Sequence, residues 1–304
     1  MPKQKQKYVH QPVLLREVIE VLAPQPGQTY LDLTAGYGGH SSAIFDLTGT
    51  EKGSVLVDRD EQAAEALQER FKEKDVQILQ SDFLNALQTL KQKGKRFDMV
   101  LADLGVSSPH LEDAARGFAF SSPGPLDMRM DRSQQLRAYE LVNGLPESEL
   151  ADILRRYGEE PRSRTIARAI AAARPVEDTG QLAAIIARTA GFRSRHGRTH
   201  PATKSFQALR IAVNDELSQL EQALPLMADV LGPGGRLAVI SFHSLEDRLV
   251  KNFMADQAGN RYDAQLQLLT KRPITASHDE LVSNPRARSA KLRAAAKIKN
   301  QKKG

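Results

Sequence analysis

The chain has 304 residues, 40% hydrophobic and 26% charged, with 43 Lys and Arg against 37 Asp and Glu and a net charge of +6. That length supplies a sizeable core and roughly two domains of chain. No run of about 18 apolar residues spans a bilayer, no apolar stretch follows the Lys-rich start as in a secretory signal, and zero cysteines exclude disulfides and thiolate-held zinc while fitting a reducing, cytoplasmic setting.

Residues 1–12 read as a flexible lead, and 13–22 as a short amphipathic helix stopped by Pro24 and Pro26. Tyr30-Leu-Asp-Leu-Thr-Ala-Gly-Tyr-Gly-Gly-His-Ser-Ser42 then has the order of a strand, a tight glycine turn and a helix over 41–47. Glycine admits a ligand close to the backbone, and the N–H groups of a first helical turn favour a negative group. An ordinary strand-to-helix turn has the same look. The alternation continues with a strand at 54–58, a helix at 61–72, a strand at 76–79 followed by Ser81-Asp82-Phe83, a helix at 84–93 and a strand at 97–103. Elements of these lengths in this order call for a parallel sheet with helices on both faces.

After Asp103 the pattern changes. Residues 107–133 are rich in Ser, Pro, Gly and Asp and read as loop. Helical spacing follows at Leu150, Ile153, Leu154 and Tyr157, at Ile166, Ala169, Ile170 and Ala173, and at Leu182, Ile185 and Ile186 between a Thr179 cap and Gly191. Phe206, Leu209, Val213, Leu217 and Leu220 mark one longer helix. Residues 107–205 are therefore expected to form an all-helical insertion, with 1–106 and 206–304 as the core. The alternation resumes with a turn at 231–235, a strand at 236–241, a helix at 244–254 and a strand at 264–270, while 289–298 fits strand or helix. No internal repeat is present.

Two ligand classes use such a loop. Dinucleotide binding needs Gly-x-Gly-x-x-Gly, and Gly36, Gly38 and Gly39 do not fit. An acidic residue followed by alternate glycines, as in S-adenosylmethionine sites, matches Asp32, Gly36 and Gly38, with Thr34 where the first glycine is usual. Asp58, at the next strand's end, is placed to accept hydrogen bonds from ribose hydroxyls, with Asp82 or Phe83 near an adenine. At the end of strand four, Asp103 is the candidate acceptor for the N–H bonds of an attacking amine, aided by the Leu104 carbonyl or the Ser107 and Ser108 hydroxyls. The alternatives for Asp103 are binding a methionine amino group and capping a turn.

Positive charge is uneven: residues 285–304 carry eight Lys and Arg and no acid, and Arg193, Arg195 and Arg198 fall within 191–200. Solvated charge accounts for such runs, as does a polyanionic partner.

Together these residues resemble one family, the bacterial 16S rRNA cytosine-N4-methyltransferases known as RsmH or MraW. The matching blocks run from His10 to about Arg293. They include His10-Gln-Pro-Val-Leu-Leu15, Gly36-Tyr-Gly-Gly-His-Ser41, Asp103-Leu-Gly-Val-Ser-Ser-Pro109, Gly124-Pro-Leu-Asp-Met-Arg-Met-Asp131, His200-Pro-Ala-Thr203, Ser241-Phe-His-Ser-Leu-Glu-Asp-Arg248 and Asn284-Pro-Arg-Ala-Arg-Ser289. The resemblance implies an α/β fold, a class I S-adenosylmethionine-dependent (Rossmann-like) sheet with an inserted helical domain that recognises RNA. It implies methyl transfer to N4 of a cytidine in the decoding region of 16S rRNA within the small ribosomal subunit. Carried over position by position, S-adenosylmethionine contacts are Gly38, Gly39, His40, Asp58, Phe83, Asp103 and His110, with Asp103 also catalytic. His110 departs from the family's usual Gln, and the segment between Met254 and Asn284 is shorter and poorer in glycine than the family pattern. Arg193, Arg195, Arg198 and the basic tail are the expected phosphate contacts.

Strand four also lacks the double proline and aromatic of DNA amino-methyltransferases, so a target base would stack on Phe118, Phe120 or Phe242. His243 reads equally as a structural hydrogen bonder and as a catalytic group. A ribosome-assembly factor without turnover, and a methyltransferase acting on DNA or a small molecule, are the competing readings. No metal site is visible. Oligomeric state stays open, with a homodimer compatible.

Overall fold

The computed structural model describes residues 11–189, 200–259 and 264–298. The chain divides into two compact units, Met1–Gly105 with Gln219–Gly304 and Val106–Ser218. The second unit thus takes the helix that begins at Thr203, which the sequence pattern assigns to the core.

The first unit is a seven-stranded sheet built from β1 (Tyr30–Asp32), β2 (Val55–Asp58), β3 (Gln77–Gln80), β4 (Phe97–Asp103), β5 (Leu231–Ser241), β6 (Leu266–Leu268) and β7 (Lys291–Lys297). Its order is β3-β2-β1-β4-β5-β7-β6, parallel from β3 to β5 and antiparallel at β7 against both neighbours. This is the arrangement the resemblance implies, an α/β Rossmann-like sheet, with one reversed strand, β7, set between β5 and the edge strand β6. The expectation of a parallel sheet holds for the direction of six strands and fails at β7. The chain leaves β6 and runs back along it as β7, so these two neighbours pair antiparallel.

Side chains along the central strands alternate between two cores, as the two-residue strand period demands. Leu31, Val55, Val57, Val100, Ala102, Leu237 and Val239 face one. They pack there with α4 (Phe83–Gln92), α11 (Glu216–Asp229) and α12 (Ser244–Asp256). Tyr30, Leu56, Met99, Leu101, Ala238 and Ile240 face the other. There they meet α1 (Leu15–Leu22), α2 (Gly39–Thr48) and α3 (Glu61–Arg70). Covering both faces is what lets these strands be continuous apolar runs.

Several local readings change. The turn at 231–235 is the first part of β5: Phe97 pairs with Leu231 and Met99 with Arg236, so the Gly-Pro-Gly-Gly stretch bulges out of the ladder. The ambiguous segment near 289–298 is strand β7. A helix α13 (His278–Ser283) was not legible; Ser277 caps it, and the Glu280 carboxylate accepts the Leu14 N–H at 2.7 Å. Two of the eight basic residues of the C-terminal stretch are structural, because Asp247 takes both Lys291 (3.3 Å) and Arg293 (2.7 Å).

The second unit holds α5 (Ser108–Glu112), α6 (Ala138–Gly144), α7 (Glu147–Gly158), α8 (Ser163–Ala172), α9 (Thr179–Thr189) and α10 (Thr203–Asn214). Helix α6 is too short to show a period and was missed. The expected long helix is two, broken at Asp215, whose left-handed φ of 49° needs no glycine in a residue that tolerates that region. Leu150, Leu154, Ile166, Ile170, Leu182, Ile186, Phe206 and Leu209 form the unit's own core. Phe118 is buried in that core, while Phe120, packed on His200 and Phe206, and Phe242, packed against the first unit's second core, are half-buried.

Gly158 ends α7 where a Cβ would lie 2.6 Å from the Lys204 carbonyl oxygen at the start of α10. We expect Gly158→Ala to destabilise the fold by about 1–3 kcal/mol through overpacking. An unchanged urea-unfolding midpoint would refute this close approach.

Candidate active site at the strand ends

Ligands of open α/β sheets bind at the carboxyl ends of the strands, where the strand order reverses, which here is between β1 and β4. Three aspartates stand at those ends: Asp32 on β1, Asp58 on β2 and Asp103 on β4.

Asp32 is 1% exposed. Its carboxylate accepts the Tyr30 hydroxyl (2.9 Å), the Ser41 hydroxyl (2.7 Å) and the Thr34 N–H (3.2 Å). Burial outweighs these bonds and pushes its pKa up from 3.8 to about 6. The Asp58 carboxylate accepts the Gly36 N–H at 2.8 Å and the Asp60 N–H at 2.9 Å, one on each oxygen. An oxygen that has accepted one hydrogen bond keeps a further lone pair.

Between them the loop turns at Gly38, whose φ of 78° caps α2 and whose missing Cβ would lie 2.8 Å from the Phe71 ring. Thr34, which departs from the usual glycine, has a role sequence reasoning did not see. Its hydroxyl accepts the Asp103 N–H at 2.6 Å and so ties the loop to the end of β4.

Asp103 itself is held differently. Its Oδ1 is out of reach of solvent and has no hydrogen-bond partner. Burial, then the charges of Asp32 and Glu246, raise its pKa well above the carboxylate range, and no cation lowers it. His40 lies beside it, 7% exposed, with Nδ1 3.9 Å from Asp103 Oδ2 and Nε2 3.0 Å from the Val13 carbonyl. A carbonyl only accepts, so Nε2 carries the proton and Nδ1, in the neutral ring, is the acceptor nitrogen.

Glu246, also missed, is 2% exposed. Its Oε2 accepts the N–H groups of Phe242 (2.8 Å) and His243 (3.3 Å), and its own N–H reaches His243 Nδ1 at 3.3 Å. The His-x-x-Glu spacing was the available signal, being a variant of the capping box. His243 is accordingly a helix cap.

The structure thus brings Gly38, Gly39, His40, Asp58 and Asp103 to one end of the sheet. Phe83 begins α4 just after β3, half-buried against the first core. His110 belongs to the second unit, where it is 6% exposed. Its Nδ1 lies 3.3 Å from the Ser107 N–H and 3.1 Å from the Ser107 hydroxyl, and its ring packs on Phe118 with centroids 5.1 Å apart. Ser107 is therefore engaged with His110, and Leu104 is buried. Arg193, Arg195 and Arg198 lie outside the described residues.

A family model described as the MraW methylase family matches residues 7–298. The chain is 48% identical over 293 residues to a Ribosomal RNA small subunit methyltransferase H from Nostoc punctiforme, covering 96% of this chain and 95% of that one. It is 45% identical over 302 residues to the protein of that name from Koribacter versatilis, covering 96% and 95%. Against the one from Heliobacterium mobile it is 45% identical over 313 residues, covering 96% and 100%.

The Asp32 environment generates a pH prediction. The folded chain binds the Asp32 proton more tightly than the unfolded chain, so this residue's contribution to stability falls as pH rises from 3.8 to about 6. The full interval is worth up to about 3 kcal/mol. Asp127, Glu140 and Asp247, held down by arginine partners, act in the opposite direction below about pH 4. We therefore expect the stability of Asp32→Asn relative to wild type to improve by that amount between pH 4 and 6.5 in urea unfolding. A flat difference would rule the argument out.

Proposed function

Because the chain belongs to the MraW methylase family, we propose that its reaction is methylation of small-subunit ribosomal RNA, with S-adenosylmethionine as donor and N4 of a cytidine in the 16S decoding region as acceptor. The observation that carries the reading is the buried, unpartnered Oδ1 of Asp103 at the end of β4.

The strand-end residues suit the donor. Asp32, Asp103 and Glu246 raise the acidity problem together, and no cation offsets it at Asp103. A ligand carrying an ammonium and a sulfonium relieves that repulsion. Asp58, whose carboxylate accepts the Gly36 and Asp60 N–H groups, stands at the end of β2 as the acceptor for ribose hydroxyls. Gly38 and Gly39 shape the loop beside the donor, where a Cβ would meet the Phe71 ring and Pro12, and Phe83 offers a ring edge near a base.

S-adenosylmethionine supplies a methyl group on a sulfur that leaves as a neutral thioether, so no acid is needed for departure. The residues of this chain have the acceptor to manage. Asp103 accepts an N–H of the cytidine amino group at Oδ1, which helps the nitrogen lone pair turn from the ring toward the methyl. The same carboxylate then holds the proton that the nitrogen sheds. The positive ligand keeps Asp103 ionised against Asp32 and Glu246 until that step. His40 Nδ1, the acceptor nitrogen of its ring, lies 3.9 Å from the other Asp103 oxygen and faces that carboxyl when it holds the proton. Arg193, Arg195 and Arg198 supply phosphate contacts, and a base in a helical stretch is unstacked to reach the site. No described helix is long and apolar enough to cross a membrane, and this reading places the protein with ribosomal subunits in the cytoplasm.

Incubation with methyl-labelled donor and small ribosomal subunits should place label on a cytidine N4 of 16S rRNA; absence of label there overturns the reading. Asp103→Ala should lower kcat by about 10²–10⁴-fold and leave subunit binding intact. A variant with near-wild-type turnover would remove Asp103 from the chemistry, and binding of donor and subunits by the wild-type chain without label transfer would favour the assembly-factor alternative.

A further inference from the structure

One corner of the second unit collects positive charge that the unit itself does not neutralise. Arg156 sits in the last turn of α7, Arg162 and Arg164 at the start of α8, and Lys204 at the start of α10, all exposed. The packing brings these helix ends together. Gly158 abuts the Lys204 carbonyl, Lys204 Nζ donates to the Glu159 carbonyl at 3.0 Å, and the Arg162 guanidinium donates to the Thr189 carbonyl at the end of α9 at 2.9 Å. Among the described residues none of the four cations has a carboxylate within 4.0 Å.

Other arginines of the same helices are balanced. Arg155 pairs with Asp152 at 3.1 Å and Arg168 with Glu147 at 3.4 Å. Two acids occupy the α7–α8 turn. Glu160 is turned inward, 8% exposed, with Oε1 on the Arg162 N–H at 3.0 Å, which leaves Glu159 as the exposed one. Like charges held together at a surface repel one another, and a polyanion removes that cost by replacing their counterions. Guanidinium groups match phosphate oxygens in geometry as well as charge.

We propose that this corner, through Arg156, Arg162, Arg164 and Lys204, is a docking surface for the phosphate backbone of ribosomal RNA, separate in sequence from the Arg193, Arg195 and Arg198 stretch. The proposal rests on the rRNA reading above and names where the second unit grips that partner. Thr189 and His200 bound the arginine stretch in sequence, and Thr189 is bonded to the corner itself.

The test is the salt dependence of binding to a 16S rRNA transcript, using the full chain. Arg156→Gln, Arg164→Gln and Lys204→Gln combined should weaken binding at least tenfold near 0.1 M salt. The slope of log K against log salt should fall by roughly 0.7 per lost phosphate contact. Arg155→Gln with Arg168→Gln, which removes ion-paired cations from the same two helices, is the control and should leave the slope in place. An unchanged slope in the triple variant overturns the proposal, as does an equal loss per residue in the control. Donor binding and thermal unfolding of each variant report on folding. Failure of the rRNA reading looks different: the wild-type chain then transfers no label to 16S rRNA, whatever the variants do.

Discussion

A carboxylate buried without a cation must be held by hydrogen bonds, and the first unit's site depends on how Asp32 is held. Tyr30, Ser41 and the Thr34 amide all donate to it. Those three residues come from β1, the loop and α2, so satisfying one carboxylate also sets the turn between strand and helix. From that turn Thr34 reaches Asp103 and Gly36 reaches Asp58. The ends of β1, β2 and β4 are thereby tied to one loop.

The consequence is electrostatic. Negative groups are fixed close together, and Asp103 pays for its position with a carboxyl that resists ionising. Such an arrangement is stable because Asp32 and Glu246 have their hydrogen bonds made elsewhere. At Asp103 Oδ1 the hydrogen bond is unmade, and the proposed function assigns it to the acceptor amine. Glu246 shows the same division of labour: its side chain caps α12, and its charge acts on Asp103. The dense motif from Ser241 to Arg248 is thus in large part helix capping that pins an acid near the reacting end of the sheet.

The second unit achieves order by different means. Its 107–133 segment has loop composition, yet particular side chains define its path. Asn214 accepts the Met130 N–H and donates to the Met128 carbonyl, both within 2.9 Å, while buried Arg116 donates to the Arg129 and Met130 carbonyls. Arg129 in turn pairs with Asp127 at 2.7 Å. Backbone groups that no helix or strand satisfies are met by side chains far along the chain. Apolar helix faces supply the core, and the charged residues left at the helix ends supply the surface.

Period and spacing in the sequence were enough to determine the strands β1 to β4, most helices, the glycine loop and the acids at the strand ends, because burial of one face imposes a repeat that can be counted. The family blocks determined the reaction class. The break at Asp215, the bulge before Arg236 and the reversed strand β7 were not legible, since each depends on which partner the backbone meets rather than on local preference. The same holds for the site. Asp58 and Asp103 could be picked out as acids at strand ends, but the sequence carries no distance. Only the tertiary structure decided that Thr34 is a tether, that His243 is a cap, that the Glu246 charge opposes ionisation of Asp103, and that Lys291 and Arg293 are held by Asp247. Those roles arise where residues far apart in the chain compete for one hydrogen bond or share one buried field.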